Sequence, residues 1–408
     1  MDFSPLRHYI DRSLLRDVVF WTAAPVLAYA AVNSILSTTA PRSIPKVLPS
    51  PRKSLQLLSA QDLDSLPYPP DALPGARDVD TPYGNIRVYE WGPEDGRKVL
   101  CVHGISTPCI AFAGMAELLV ERGCRVMVFD LFGRGYSDAP NPDYYRQDIA
   151  LWTSQILLVL ASSKLAWTGS DRFSLIGYSM GGGIGATFTA YFPDLVESLV
   201  LIAPGGLLRA SRISRSSKLL YGGLLPDFLV KYLVGQRLRG SSGPHGSSNK
   251  PTAPASIAES EVPAGHPANS KDSDAPIFTG RPGMSIAKAV AWETDSHPGF
   301  LPSFISSIKY APVSHEHEQW RRLGRRCEAR RASAEPDKVS GLDEGKVLLI
   351  FGKQDHVIVA DETAEDATAA LGRENLKVVT LEGGHDVPVV NARGCVDAIY
   401  DFWDDSPV

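Results

Sequence analysis

Phe173-Ser-Leu-Ile-Gly177-Tyr-Ser179-Met-Gly181-Gly-Gly-Ile-Gly185 is the stretch from which the rest of the chain can be read. Residues 173–176 are a short apolar run of the kind a buried strand shows, and residues 184–192 repeat at helical spacing. Between them lies a turn in which Gly177 and Gly181 flank Ser179. A strand that turns sharply into a helix forces the central residue into a strained backbone conformation and lifts its side chain above the sheet. Glycines on either side remove Cβ atoms that would collide there. A Gly-rich turn with a helix-capping serine produces the same five letters. Ser179 is therefore a candidate nucleophile only if the chain also supplies a base, an acid and a site for developing negative charge.

Working outward, residues 78–81 and 85–91 flank Pro82-Tyr83-Gly84 and read as an antiparallel hairpin at a sheet edge. Residues 98–102, 125–130, 173–177, 199–203, 347–351 and 377–381 are compact apolar runs typical of buried parallel strands. Helical patterns fall between them at 110–122, 144–163, 182–192 and 361–371, with a last one at 391–403. The alternation predicts an α/β fold, a mostly parallel sheet with helices on both faces. It breaks once, between Pro204 and Gly345. Residues 207–238, 286–291 and 300–310 have helix-like apolar spacing, whereas 239–276 are dominated by Gly, Ser, Pro, Ala and Asn and are expected to be disordered. The expected organisation is a core of 77–204 and 345–408, with a helical cap, 205–344, inserted after the sixth strand.

With 408 residues, 44% hydrophobic and 9% aromatic, the chain can fill a large core. A net charge of −5 and a pI near 6.0 offer no basic field for nucleic acid, so a small-molecule partner is expected. Cys101, Cys109, Cys124, Cys327 and Cys395 are odd in number and lack Cys-x-x-Cys spacing, which argues against a disulfide framework or a zinc site. Residues 18–36 are mostly apolar and are open to three readings: a membrane anchor or peripheral contact, a helix packed on the domain, or a cleaved signal ending near Ala28-Tyr29-Ala30. The location that follows is cytoplasmic, with membrane association if the first reading holds. Residues 41–74, rich in Pro and Ser, read as an extended linker within an N-terminal region of 1–76.

A serine hydroxyl needs an imidazole to take its proton and return it to a leaving group. His385, in Gly383-Gly384-His385-Asp386, follows the last strand and meets that need. Asp355, in Gly352-Lys353-Gln354-Asp355, follows the penultimate strand and can hold the imidazole tautomer. It precedes the next helical pattern by too many residues to be a simple N-cap. The loop Val102-His103-Gly104-Ile105-Ser106 can present a backbone N–H to an oxyanion, with Ile105 and Met180 as the candidate donors and His103 as a structural residue. A further turn, residues 129–138, suits a tight loop in which Arg134 and Asp138 could pair.

These motifs, in this order, resemble the α/β-hydrolase superfamily over residues 78–204 and 345–405, with Gly177 to Gly181 as its nucleophile elbow. His103-Gly104, the 130–138 turn and Gly384-His385 are similar to the branch of monoacylglycerol-lipase-like enzymes, valacyclovir-hydrolase-like esterases and meta-cleavage-product hydrolases. Epoxide hydrolases and haloalkane dehalogenases carry aspartate where Ser179 stands, and no Gly-Gly-Gly run follows His103 as in the hormone-sensitive-lipase branch. The resemblance implies a serine hydrolase acting on an ester, thioester or lactone of a hydrophobic or lipid-like compound, without cofactor or metal. Two alternatives stay open: a C–C bond hydrolase of a β-diketone or ring-cleavage product, and a non-catalytic binding protein on the same shell.

Two local patterns are left over. His315-Glu316-His317 does not place both imidazoles on one helix face, so no metal is expected. Residues 320–332 contain six arginines, which read as a solvated face paired with Glu316, Glu318 and Glu328, or as a strip that attracts anionic groups.

Overall fold

The computed structural model describes residue 29 and residues 44–239, 270–278 and 280–404. Residues 18–36, apart from Tyr29, and most of the stretch expected to be disordered lie outside these. From Lys46 onward the chain forms one compact unit.

Its centre is an eight-stranded sheet: β1 (Ala76–Thr81), β2 (Gly84–Trp91), β3 (Lys98–Val102), β4 (Arg125–Phe129), β5 (Phe173–Tyr178), β6 (Val196–Ile202), β7 (Val347–Gly352) and β8 (Leu376–Leu381). The spatial order is β8-β7-β6-β5-β3-β4-β2-β1. All pairs from β8 to β4 are parallel, and β2 joins β4 and β1 antiparallel. The central strands β5 and β7 are buried along their whole length, whereas the edge strands β1 and β8 alternate with solvent. That difference is why the inner strands read as continuous apolar runs.

The main helices are α1 (Ala113–Glu121), α2 (Ile149–Ala161), α3 (Met180–Tyr191), α4 (Arg215–Tyr221), α5 (Asp227–Arg239), α6 (Ile286–Ser296), α7 (Phe300–Tyr310), α8 (His317–Ala332), α9 (Ala360–Leu371) and α10 (Ala392–Asp404). Helix α2 starts five residues after the sequence pattern suggests, because Asp148 caps it: its side chain accepts the N–H groups of Ala150 at 3.1 Å and Leu151 at 3.3 Å. Helices α4 to α8 all lie between β6 and β7 in the chain, the interval in which the strand–helix alternation fails.

Two segments depart from expectation. Residues 46–74, part of the stretch 41–74 read as an extended linker, are packed onto the sheet: Val47–Leu48 pairs antiparallel with Ala139–Pro140, and Tyr68, Leu55 and Leu73 are buried. Tyr68 gives its hydroxyl proton to buried Asp130 at 3.0 Å. A few apolar anchors thus override a Pro- and Ser-rich composition. Residues 270–276, the end of the stretch expected to be disordered, form the short helix Ser270–Ser273 and enter the strand Pro276–Phe278, with Ile277 buried.

Candidate active site

Ser179 sits between β5 and α3 with φ 54° and ψ −122°, a region that non-glycine residues rarely occupy and that costs about 1–3 kcal/mol. The surroundings hold it there. Its N–H donates to Ile202 O at 3.0 Å, and its carbonyl accepts Gly182 N–H at 2.8 Å and Gly205 N–H at 2.7 Å. A Cβ at Gly177 would lie 2.4 Å from Gly181 O, and one at Gly181 would lie 2.0 Å from Val102 O. Both glycines are therefore steric requirements of the turn.

The candidate base and acid arrive from the two strands at the far edge. His385 and Asp355 follow β8 and β7, and their loops are joined: Lys353 N–H donates to Leu381 O at 2.8 Å and Gln354 N–H to Gly383 O at 2.9 Å. His385 Nε2 lies 3.0 Å from Ser179 Oγ, and His385 Nδ1 lies 2.9 Å from Asp355 Oδ2. The other carboxylate oxygen, Oδ1, accepts the N–H groups of Val357 at 2.8 Å and Ile358 at 2.9 Å. Asp355 can therefore turn only one oxygen to the imidazole, and accepting Nδ1–H leaves the Nε2 lone pair facing the serine. Asp355 and His385 are both buried.

The two candidate oxyanion donors have different supports. Met180 is the first residue of α3, so its N–H has no partner four residues earlier in the helix. Ile105 N–H belongs to the same peptide as Gly104 O. His103 Nε2 accepts Leu131 N–H at 2.8 Å, which leaves the proton on Nδ1 to be donated to Gly104 O at 2.9 Å. Fixing that carbonyl turns Ile105 N–H the opposite way across the trans peptide. The loop abuts the serine: a Cβ on Gly104 would be 3.3 Å from Ser179 Cβ. His103 is fully buried, and that burial pushes it down to about 3, so it serves as a neutral spacer.

Arg134 does not pair with Asp138. Asp138 instead accepts the N–H groups of Ser50 at 2.8 Å and Asn85 at 2.9 Å. Arg134 is fully buried and donates to Ile105 O at 2.9 Å, Phe132 O at 3.0 Å and Ser307 Oγ of α7 at 2.9 Å. Burial draws its guanidinium down to about 9. It ties the Ile105 loop to the inserted segment, a role that its position in a Gly-rich turn does not announce.

Three further contacts around His385 escape sequence reasoning because their partners are remote in the chain. Tyr178, the residue before Ser179, donates its hydroxyl to Asp386 Oδ1 at 2.6 Å. Ser273 Oγ donates to the other oxygen of Asp386, and Asp272 Oδ2 accepts Gly384 N–H at 2.5 Å. In α8, Glu318 pairs with Arg321 at 3.5 Å and Arg325 at 2.9 Å, but Glu316 accepts from Thr187 Oγ1 at 3.2 Å and Glu328 has no arginine partner among the described residues. The expected pairing of that helix face is thus only partial. No helix among the described residues is long and apolar enough to cross a membrane.

Comparison with known proteins bears on the family. A serine hydrolase-like protein of Danio rerio is 35% identical over 127 residues, which are 31% of this chain and 37% of that one. An uncharacterized protein of Mycobacterium tuberculosis is 30% identical over 139 residues, 34% of this chain and 38% of that one. The chain thus spans well under half the length of these relatives. Among solved structures, a membrane phospholipase A described as a bacterial virulence factor matches with a TM-score of 0.52, covering 94% of this chain and 97% of that one at 18% identity. A bromoperoxidase from Bacillus anthracis matches with a TM-score of 0.52, covering 81% of this chain and all of that one at 17% identity. Identities this low speak to the fold alone. The model of the alpha/beta hydrolase fold family matches residues 98–392, and with its sheet order, its elbow and this match the chain belongs to that family.

Proposed function

We propose that the protein is a serine hydrolase that cleaves a carboxylic ester, thioester or lactone of a hydrophobic small molecule through an acyl-enzyme. The observation that carries this reading is the continuous relay from Ser179 Oγ through His385 to Asp355, with links of 3.0 and 2.9 Å. Ser179 Oγ attacks the carbonyl carbon while His385 Nε2 takes its proton. The imidazolium gives that proton to the departing alcohol or thiol. Water, deprotonated by His385 in turn, then releases the acid and restores Ser179. Asp355 orients the ring and stabilises its positive charge throughout, and Ile105 and Met180 N–H receive the oxyanion.

A greasy acyl compound is favoured by the surface of α5 and the turn before it, where Leu224, Phe228 and Tyr232 are 79%, 67% and 60% exposed. The phospholipase named among the structural neighbours is in keeping with a lipid-like ester.

The test is labelling by a fluorophosphonate probe. Wild type is expected to be labelled and Ser179→Ala to be unlabelled and inactive on activated esters while keeping its circular dichroism spectrum. Persistent labelling of the variant would refute the assignment of Ser179. Inertness of folded wild type toward both probe and esters would favour a binding protein.

A further inference from the structure

Helix α8 carries Arg322, Arg325 and Arg326 at i, i+3 and i+4, a spacing that sets all three on one face. That face forms one wall of an open groove of about 550 Å³, whose other wall is Lys338, Val339 and Ser340. Four cations line it, and two are already matched: Arg325 by Glu318 at 2.9 Å and Lys338 by Glu335 at 2.8 Å. Arg322 and Arg326 have no ion pair and no side-chain hydrogen bond among the described residues, although Asp194 is near enough for its charge to be felt by Arg326. Arg322 lies over the ring of Tyr191, 5.3 Å from its centroid. The Nε of Arg326 is buried without a partner. Burial, and after it the charge of Arg322, pulls the Arg326 guanidinium below its usual range.

Two adjacent cations with no ion-pair partner among the described residues repel one another, and a buried donor without an acceptor is costly. A dianion with several acceptor oxygens relieves both costs, and planar guanidinium forks match phosphate geometry. We propose that this groove is an anion site for a phosphoryl dianion, carried by a small phosphorylated compound or by a lipid headgroup, with Arg322 and Arg326 as its principal ligands and Ser340 Oγ as an added donor.

The groove is separate from Ser179. Tyr191 closes α3, the helix that begins right after Ser179, and at the helical rise its twelve residues span about 18 Å. A ligand there binds without touching the reacting bond, and the proposal stands whether or not Ser179 is a nucleophile.

Isothermal titration of the full chain with sodium pyrophosphate, at constant ionic strength against chloride, tests it. Saturable binding is expected in wild type and in Arg321→Gln, which removes a charge from the same helix but outside the groove. It should weaken about tenfold or more in Arg322→Gln/Arg326→Gln, while Arg322→Lys/Arg326→Lys retains part of it. Absence of saturable binding in wild type, or equal loss in Arg321→Gln, overturns the site. Flotation with phosphatidylcholine vesicles containing phosphatidic acid separates the two sources. Flotation lost in the double glutamine variant indicates a headgroup, and pyrophosphate binding without flotation indicates a free phosphorylated compound.

Discussion

Gly384, the residue before His385, donates its backbone N–H to Asp272 Oδ2 at 2.5 Å. On the other side of the imidazole, Asp386 is held between Ser273 and Tyr178. A short piece of the inserted segment therefore grips both neighbours of the proposed base, while Tyr178 ties the same loop to the elbow. A Cβ at Gly384 would sit 2.8 Å from Asp272 Oδ2, so a side chain there requires the Asp272 carboxylate to shift.

Asp272→Ala/Ser273→Ala removes this grip while Ile277 still anchors the segment in the core. Displacing a catalytic group by about 1 Å costs on the order of 100-fold in rate. The double variant is expected to lose between about tenfold and 100-fold in kcat on a small activated ester, with KM and melting temperature little changed. Full activity would show that the grip does not position His385.

The second prediction concerns Arg134. Arg134→Leu leaves three buried acceptors, Ile105 O, Phe132 O and Ser307 Oγ, without their donor. At about 1–3 kcal/mol for each unsatisfied group, partly relieved by relaxation, the loss of stability should reach about 3 kcal/mol in urea unfolding. If Ile105 N–H receives the oxyanion, loosening its loop also lowers kcat more than it raises KM. The ceiling is the 100- to 1,000-fold typical of losing one such donor, roughly. Arg134→Lys keeps one donor and should fall between. An unchanged kcat in a folded variant would remove Arg134 from the positioning of the loop.

How far the sequence could be read depended on whether a contact was local. Residues 173–177 and 347–351 form strands buried on both faces, so composition alone marked them, and each is followed within a few residues by Ser179 or Asp355. Helix α7 spans residues 300–310, as its apolar spacing indicates. Arg134 was harder to place: Asp138 is only four residues away, yet the acceptors Ile105 and Ser307 are 29 and 173 positions distant. Residues 46–74 hid for a related reason. Their buried apolar anchors, Leu55, Tyr68 and Leu73, are too few and too unevenly spaced to show a period, and Tyr68 is fixed by hydrogen bonds to Asp130 and Tyr89 from remote parts of the chain. The grip of Asp272 and Ser273 on the His385 loop joins residues 112 and 113 positions apart, beyond any spacing rule.

The third prediction is on proton linkage. His103 and His297 are both fully engaged as neutral rings: His103 as described, and His297 with Nε2 at 2.9 Å from Ser137 O and Nδ1 accepting Gly299 N–H at 3.0 Å. Burial pushes them down to about 3 and about 4, against an ordinary value of 6.5. Because the folded values are depressed, the unfolded chain binds protons first as pH falls. The stability that these rings contribute is present above about pH 6.5 and is lost on descent toward pH 4 and then 3, at up to about 1.4 kcal/mol per pH unit for each ring. Glu293 opposes them. Burial raises its carboxyl well above 4.5, so its contribution is present below that value and lost as pH rises. Burial raises the carboxyl of Glu344 to about 7, so it opposes them too, and the test compares slopes, taken as loss of stability toward acid, in urea titrations between pH 7 and 5. In His103→Gln the slope should be shallower by up to about 1.4 kcal/mol per pH unit, whereas in Glu293→Gln it should be steeper. Parallel slopes in wild type and His103→Gln would mean that His103 titrates alike folded and unfolded, and the neutral spacer that orients Gly104 and Ile105 would have to be abandoned.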